Sequence, residues 1–108
     1  MYLGLIFMEK KFICQVNELS KNKTIIKYYE DIRDELILFK NEDNKIKCFS
    51  SVCPHVAGEV VYENCQLKCR WHGLKFDKTG KSLNGKVQLY LREYKVEIID
   101  NKIYVQEK

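Results

Sequence analysis

Cys53-Pro54-His55 and Cys69-Arg70-Trp71-His72 hold the residues of this 108-residue chain best suited to chemistry. They read C-x-H, thirteen intervening residues, then C-x-x-H, and they contain both histidines of the chain. Each histidine stands within three positions of a cysteine. Soft thiolates hold iron or zinc, and neutral imidazole nitrogens complete the shell. The chemistry expected of the pattern is therefore that of a metal centre, with Cys53, His55, Cys69 and His72 as its ligands.

Two centres fit a set of two cysteines and two histidines. One is a tetrahedral structural zinc. The other is a [2Fe–2S] cluster in which two cysteines hold one iron and two histidines the other. A zinc finger would pair C-x-x-C with a helix carrying H-x3-5-H, and the sequence shows no such helix. The second segment continues through Gly73-Leu74-Lys75-Phe76-Asp77, with Gly80 following. It resembles the second ligand loop of Rieske proteins, which commonly reads C-P-W-H-G-x-x-F-D. The first, Cys53-Pro54-His55-x-x-Gly58, is similar to the first loop of that family, C-P/T-H-x-x-G. The chain thus resembles a Rieske-type ferredoxin of the soluble, oxygenase-associated branch. The specificity of the resemblance resides in residues 53 to 80, and it extends more generally over residues 11 to 106.

The resemblance implies one Rieske [2Fe–2S] cluster per chain, with Cys53 and Cys69 on the inner iron and His55 and His72 on the outer. Replacing two thiolates by neutral imidazoles leaves the cluster less negative and raises its potential above that of an all-cysteine cluster. Pro54, the only proline, fixes φ between two ligands. Gly58 and Gly73 let the backbone approach the cluster, where N–H groups tune the metal's chemistry. Trp71 is expected either to shield the cluster from water or to serve as ordinary core packing. High-potential members carry a disulfide between the ligand loops; its two positions here are Gly58 and Trp71. They also place a Ser and a Tyr where this chain has Leu74 and Phe76, which donate no hydrogen bonds. A potential near the low end of the Rieske range follows, about −150 mV rather than about +300 mV. The family's usual proline in the second loop is Arg70 here, which adds a backbone donor.

The elements that must position these loops read as strands. Lys11 to Val16, Lys23 to Tyr29, Leu36 to Lys40 and Lys45 to Phe49 are rich in Ile, Val, Tyr and Phe. Lys75 to Asp77 makes a short strand. Tyr94 to Ile99 and Lys102 to Gln106 flank Asp100-Asn101, a two-residue hairpin signal. Tyr29 to Leu36 is the one helix candidate, and it reads better as strand-turn-strand. The expected fold is all-β: small antiparallel sheets with the two ligand loops, about residues 50 to 80, lifted out as a cluster-binding subdomain. Residues 1 to 108 read as one domain.

Composition bounds the rest. No apolar run approaches the roughly eighteen residues that span a bilayer. Residues 1 to 8, MYLGLIFM, lack the charged start and cleavage site of a secretory signal. They read as an edge strand or an extension ahead of a start at Met8. Cys14, Cys48 and Cys65 remain beyond the candidate ligands; free thiols suit the cytoplasm. Cys14 and Cys48 read as buried core thiols, and Cys65, four residues before Cys69, as an alternative ligand. The net charge is +4, and Lys68, Arg70, Lys75, Lys78, Lys81 and Lys86 crowd the second loop. They form either a basic collar that steers an acidic redox partner or solvated surface charge. Interspersed acidic residues argue against nucleic-acid binding.

A Rieske oxygenase also needs a mononuclear iron held by two histidines and a carboxylate. No histidine is left for one, so the chain reads as an electron carrier and not an enzyme. The resemblance implies a soluble carrier between a flavin-dependent reductase and a terminal oxygenase. The alternatives are the Rieske-like small subunit of a redox enzyme complex, such as a nitrite reductase, and a zinc-stabilised interaction module.

Overall fold

The structure is a computed structural model that describes residues 10–20, 23–54, 58–71 and 73–107. Among the described residues nine strands form in chain order: β1 (Lys11–Gln15), β2 (Ile25–Tyr29), β3 (Asp34–Lys40), β4 (Ile46–Ser50), β5 (Val60–Glu63), β6 (Gln66–Cys69), β7 (Lys75–Phe76), β8 (Glu93–Ile99) and β9 (Lys102–Glu107). All pairings are antiparallel, in a six-stranded sheet ordered β1-β9-β8-β4-β3-β2 and a three-stranded sheet ordered β5-β6-β7. No described residue lies in an α-helix, and no helix is long and apolar enough to cross a membrane.

Alternation along β3 and β4 sends side chains to two cores, as a pleated strand must. Ile37, Phe39 and Phe49 pack with Cys53, Val60, Leu67, Cys69, Leu74, Phe76 and Leu91. Leu36, Leu38 and Cys48 pack on the opposite side with Ile13, Cys14, Leu19, Tyr94, Ile103 and Val105. Because residues of β1 share this second core with β3, the large sheet curls. Its two ends meet where Lys11 reaches Asp31 at 2.5 Å and lies over the Tyr29 ring.

Tyr29 to Leu36 forms the strand-turn-strand expected of it, with Arg33 at the turn's end in the left-handed region (φ 51°). Asp100 and Asn101 (φ 51° and 64°) turn β8 into β9 with Ile99 opposite Lys102, the geometry of a two-residue hairpin. Strand ends differ from expectation by one or two residues in most strands, three of them as follows. Val16 belongs to a 3-10 turn, Val16–Glu18, closed by Glu18 accepting from Gln15 N–H at 2.7 Å. Lys23 precedes its strand, and Asp77 leaves its own to accept from Thr79 and Lys81 N–H at 2.8 and 3.0 Å. Residues 1 to 8 lie outside the described residues.

One buried polar knot ties three strands together beside the first ligand loop. The Asp34 carboxylate of β3 accepts from Ser50 Oγ of β4 at 2.7 Å, Tyr94 Oη of β8 at 2.6 Å and Glu35 N–H at 2.9 Å. Burial first, and then the bond to Asp34, hold the Tyr94 hydroxyl well above its ordinary pKa. Asp34→Ala would leave both hydroxyls without their acceptor. We expect a loss of about 3 kcal/mol, read as a lower urea midpoint with an unchanged slope.

Candidate metal centre

The first loop leaves β4 and is pinched shut at its base: Cys53 N–H donates to the Gly58 carbonyl at 2.8 Å. Val52 and Glu59 pair just outside this closure. Cys53 is buried at 1% exposure, whereas Pro54 faces solvent. The second loop leaves β6 at Cys69, which is wholly buried. Cys69 N–H donates to the Leu74 carbonyl at 2.7 Å and Gly73 N–H to the Cys69 carbonyl at 3.0 Å. This turn needs φ +68° at Gly73, a conformation glycine adopts without penalty.

The two loops are locked to each other. Arg70 N–H donates to the Glu59 carbonyl and Val60 N–H to the Ser51 carbonyl, both at 2.8 Å. The Cys69 sulfur lies so close to Gly58 that a Cβ there would meet Cys69 Sγ at 2.9 Å and Trp71 Cδ1 at 3.2 Å. Cys53 and Cys69 thus belong to one packed cluster, and the end of one loop rests on the thiol of the other. His55 and His72, which stand within these loops in the sequence, lie outside the described residues. Gly58→Ala should push Cys69 or Trp71 aside, costing about 1–3 kcal/mol by overpacking. Iron per chain in the purified variant should fall below that of the parent.

Trp71 is not core packing. It is 73% exposed, with one ring edge against Gly58. Cys14 and Cys48 are buried, and burial pushes both thiols up. Cys65 is exposed at the β5–β6 turn, beside Asn64, with φ 62° and 52° respectively. That turn lies at the end of the hairpin away from Cys69, because Glu63 pairs with Gln66 and Val60 with Cys69. The structure therefore does not bring Cys65 together with Cys69. Burial, with Cys65 beside it, pushes the Tyr62 hydroxyl up to about 12.

Asn84 braces the second loop. Its Oδ1 accepts from Lys75 N–H at 2.8 Å and its Nδ2 donates to the Gly73 carbonyl at 3.3 Å. Nothing in the sequence marks Asn84, eleven positions beyond Gly73, as a support for that turn. The basic collar is partly neutralised: Lys68 pairs with Glu63 at 3.1 Å, Arg70 with Glu59 at 3.2 Å and Lys78 with Glu42 at 3.7 Å. Half of the six cations proposed for steering have a carboxylate beside them.

The family model for the Rieske [2Fe–2S] domain matches residues 9–95. The chain belongs to that family. As a Rieske domain it is 31% identical over 74 residues to the cytochrome b6-f complex iron-sulfur subunit of Chlorobaculum tepidum, covering 67% of this chain and 41% of that protein. The chain spans less than half the length of the curated relatives it matches. In fold it is similar to the ferredoxin of carbazole 1,9a-dioxygenase from Nocardioides aromaticivorans IC177 (TM-score 0.75, 20% identity, 94% of this chain and 100% of that one). It also resembles a protein assigned as the small subunit of an NADH-dependent nitrite reductase from Mycobacterium tuberculosis (TM-score 0.70, 16% identity, 95% and 97%).

The cofactor of a Rieske domain is a [2Fe–2S] cluster, and the residues present fit it. Two buried cysteines stand on adjoining loops, and a glycine, Gly58, is pressed against the Cys69 sulfur. These are soft donors in a dry, closely approached setting, as an iron–sulfur site requires.

Proposed function

We propose that this chain carries single electrons from a flavin-dependent reductase to a terminal oxygenase, and that Cys53, His55, Cys69 and His72 hold its cluster. The observation that carries the reading is the locking of the Cys53 and Cys69 loops across Gly58 in a chain with only two histidines. Both histidines are spent on the cluster, so no mononuclear iron of the two-histidine, one-carboxylate kind can be built alongside it. When bound, the cluster supplies a one-electron couple. The thiolates of Cys53 and Cys69 would hold it, and the hydrogen bonds that close each loop keep the two cysteines in register. Residues 1–108 act as one domain in this reading, with residues 50–80 as its cluster-binding part. Thiols without a disulfide at Cys14, Cys48 and Cys65 suit the cytoplasm.

The test is an absorption spectrum before and after dithionite, with EPR on the reduced sample. A red-brown protein that bleaches, with average g below that of all-cysteine clusters, is the expected result. A colourless protein holding one zinc would instead make the chain a structural module. The fold also serves in the nitrite reductase small subunit noted above, so gel filtration of a lysate expressing the chain separates two modes of use. A carrier elutes alone; a bound subunit elutes with its enzyme.

A further inference from the structure

Beside the first ligand loop lies an open cavity of about 350 Å³, walled by Arg33, Asp34, Val52, Pro54, Tyr90 and Arg92. Its charge is one-sided in effect. The Asp34 carboxylate is turned inward and taken up by Ser50, Tyr94 and Glu35. Arg33 and Arg92 are exposed. Both stand on braced backbone: Arg33 N–H donates to the Glu30 carbonyl at 3.2 Å, and the Arg92 carbonyl accepts from Ser50 N–H at 2.8 Å. The Tyr94 hydroxyl beside it holds the Arg92 guanidinium above its ordinary pKa, so its donor fork stays charged. Around the two cations lie Val52 at 40% exposure, Tyr90 at 65% and the exposed Pro54. Val52 and Pro54 are the immediate neighbours of Cys53.

Two exposed guanidinium groups lining one cavity with an apolar rim suit a carboxylate in charge, and arginine binds carboxylates through two parallel hydrogen bonds. We propose that this notch receives an acidic side chain of the redox partner, placing that partner against the Cys53 loop. The proposal rests on the electron-carrier reading and moves the electrostatic contact away from the lysines of the second loop. Lys68 and Lys78 there already face Glu63 and Glu42. Charge at such a contact acts mainly on the rate of encounter.

The experiment uses hexaglutamate peptide as probe and the full chain carrying its cluster. Calorimetry at low ionic strength should give a dissociation constant about tenfold higher for Arg33→Gln/Arg92→Gln than for the parent, as expected when one bidentate contact is lost. Lys75→Gln/Lys81→Gln should leave it unchanged. The reduced protein is then mixed with ferricyanide or with cobalt(III) tris-phenanthroline, each of which takes one electron and no proton. The arginine variant should lose about tenfold in rate with the anionic oxidant at low salt and should lose none, or gain, with the cationic one. Arg33→Gln alone, which leaves Arg92 beside Tyr94 and the Asp34 knot untouched, should show part of the same loss. Equal peptide affinity in parent and arginine variants, or a loss reproduced by the lysine variant, overturns the notch while the cluster band remains. A chain purified without that band overturns the carrier reading itself.

Discussion

Cys69→Ser should purify colourless and melt well below the parent, whereas Cys65→Ser should keep its cluster and its stability. Both residues are cysteines in one hairpin, four positions apart. Cys69 is wholly buried among Leu67, Leu74 and Phe76, with Gly58 against its sulfur. Cys65 is exposed on the turn at the far end of β5 and β6. Serine at 69 replaces a soft thiolate by a hard hydroxyl that iron–sulfur chemistry does not accept. The cluster then no longer joins the Cys53 and Cys69 loops. A cross-link closing a loop of that length constrains the unfolded chain by about 3 kcal/mol on the loop-entropy scale, and metal binding free energy is itself folding free energy in small domains. The readouts are the visible spectrum, iron per chain and the melting temperature of the three proteins side by side. A colourless Cys65→Ser beside a red-brown Cys69→Ser would overturn the ligand assignment.

The long strands were legible because their periodicity and turn chemistry are local. Lys102 to Gln106 against Tyr94 to Ile99 needs only alternating β-branched residues and Asp100-Asn101 between them. The hairpin of β5 and β6, which carries Cys69, has no such local mark. Val60, Val61 and Tyr62 make a strand-like run, but Asn64-Cys65 is a weak turn signal, since cysteine has no special tolerance of positive φ. The structure nevertheless holds Cys65 at φ 62°, a local cost accepted because Val60 and Val61 on one strand and Leu67 and Cys69 on the other are buried. Of the two readings of Trp71, core packing is set aside by the turn from Cys69 to Leu74, which leaves the ring 73% exposed. The arginine notch could not be seen at all. Arg33, Pro54 and Arg92 are distant in sequence and meet only because β3, β4 and β8 are neighbours.

The midpoint potential should lie near the low end of the Rieske range, about −150 mV, and adding donors at two positions should raise it. Hydrogen bonds to the sulfurs favour the reduced, more negative cluster, and so raise the potential. At the two places where high-potential relatives carry hydroxyls, this chain has Leu74 and Phe76. Both are buried, at 7% and 1% exposure, in the same packed cluster as Cys53 and Cys69. These side chains fill space beside the cysteines without donating anything. The backbone N–H groups of Cys53, Cys69 and Gly73 are already engaged in closing their own loops, so they do not make up the difference. A hydrogen bond to a charged group contributes about 1.5 kcal/mol at the lower end, which for one electron corresponds to roughly 60 mV. Leu74→Ser should therefore raise the midpoint by about that amount, and Leu74→Ser/Phe76→Tyr by about twice as much. Leu74→Ala, which opens the same space without a donor, separates hydrogen bonding from hydration of the site: it should move the potential by less than the serine does. A parent midpoint well above zero, or equal shifts for serine and alanine, would mean that donors other than these set the potential.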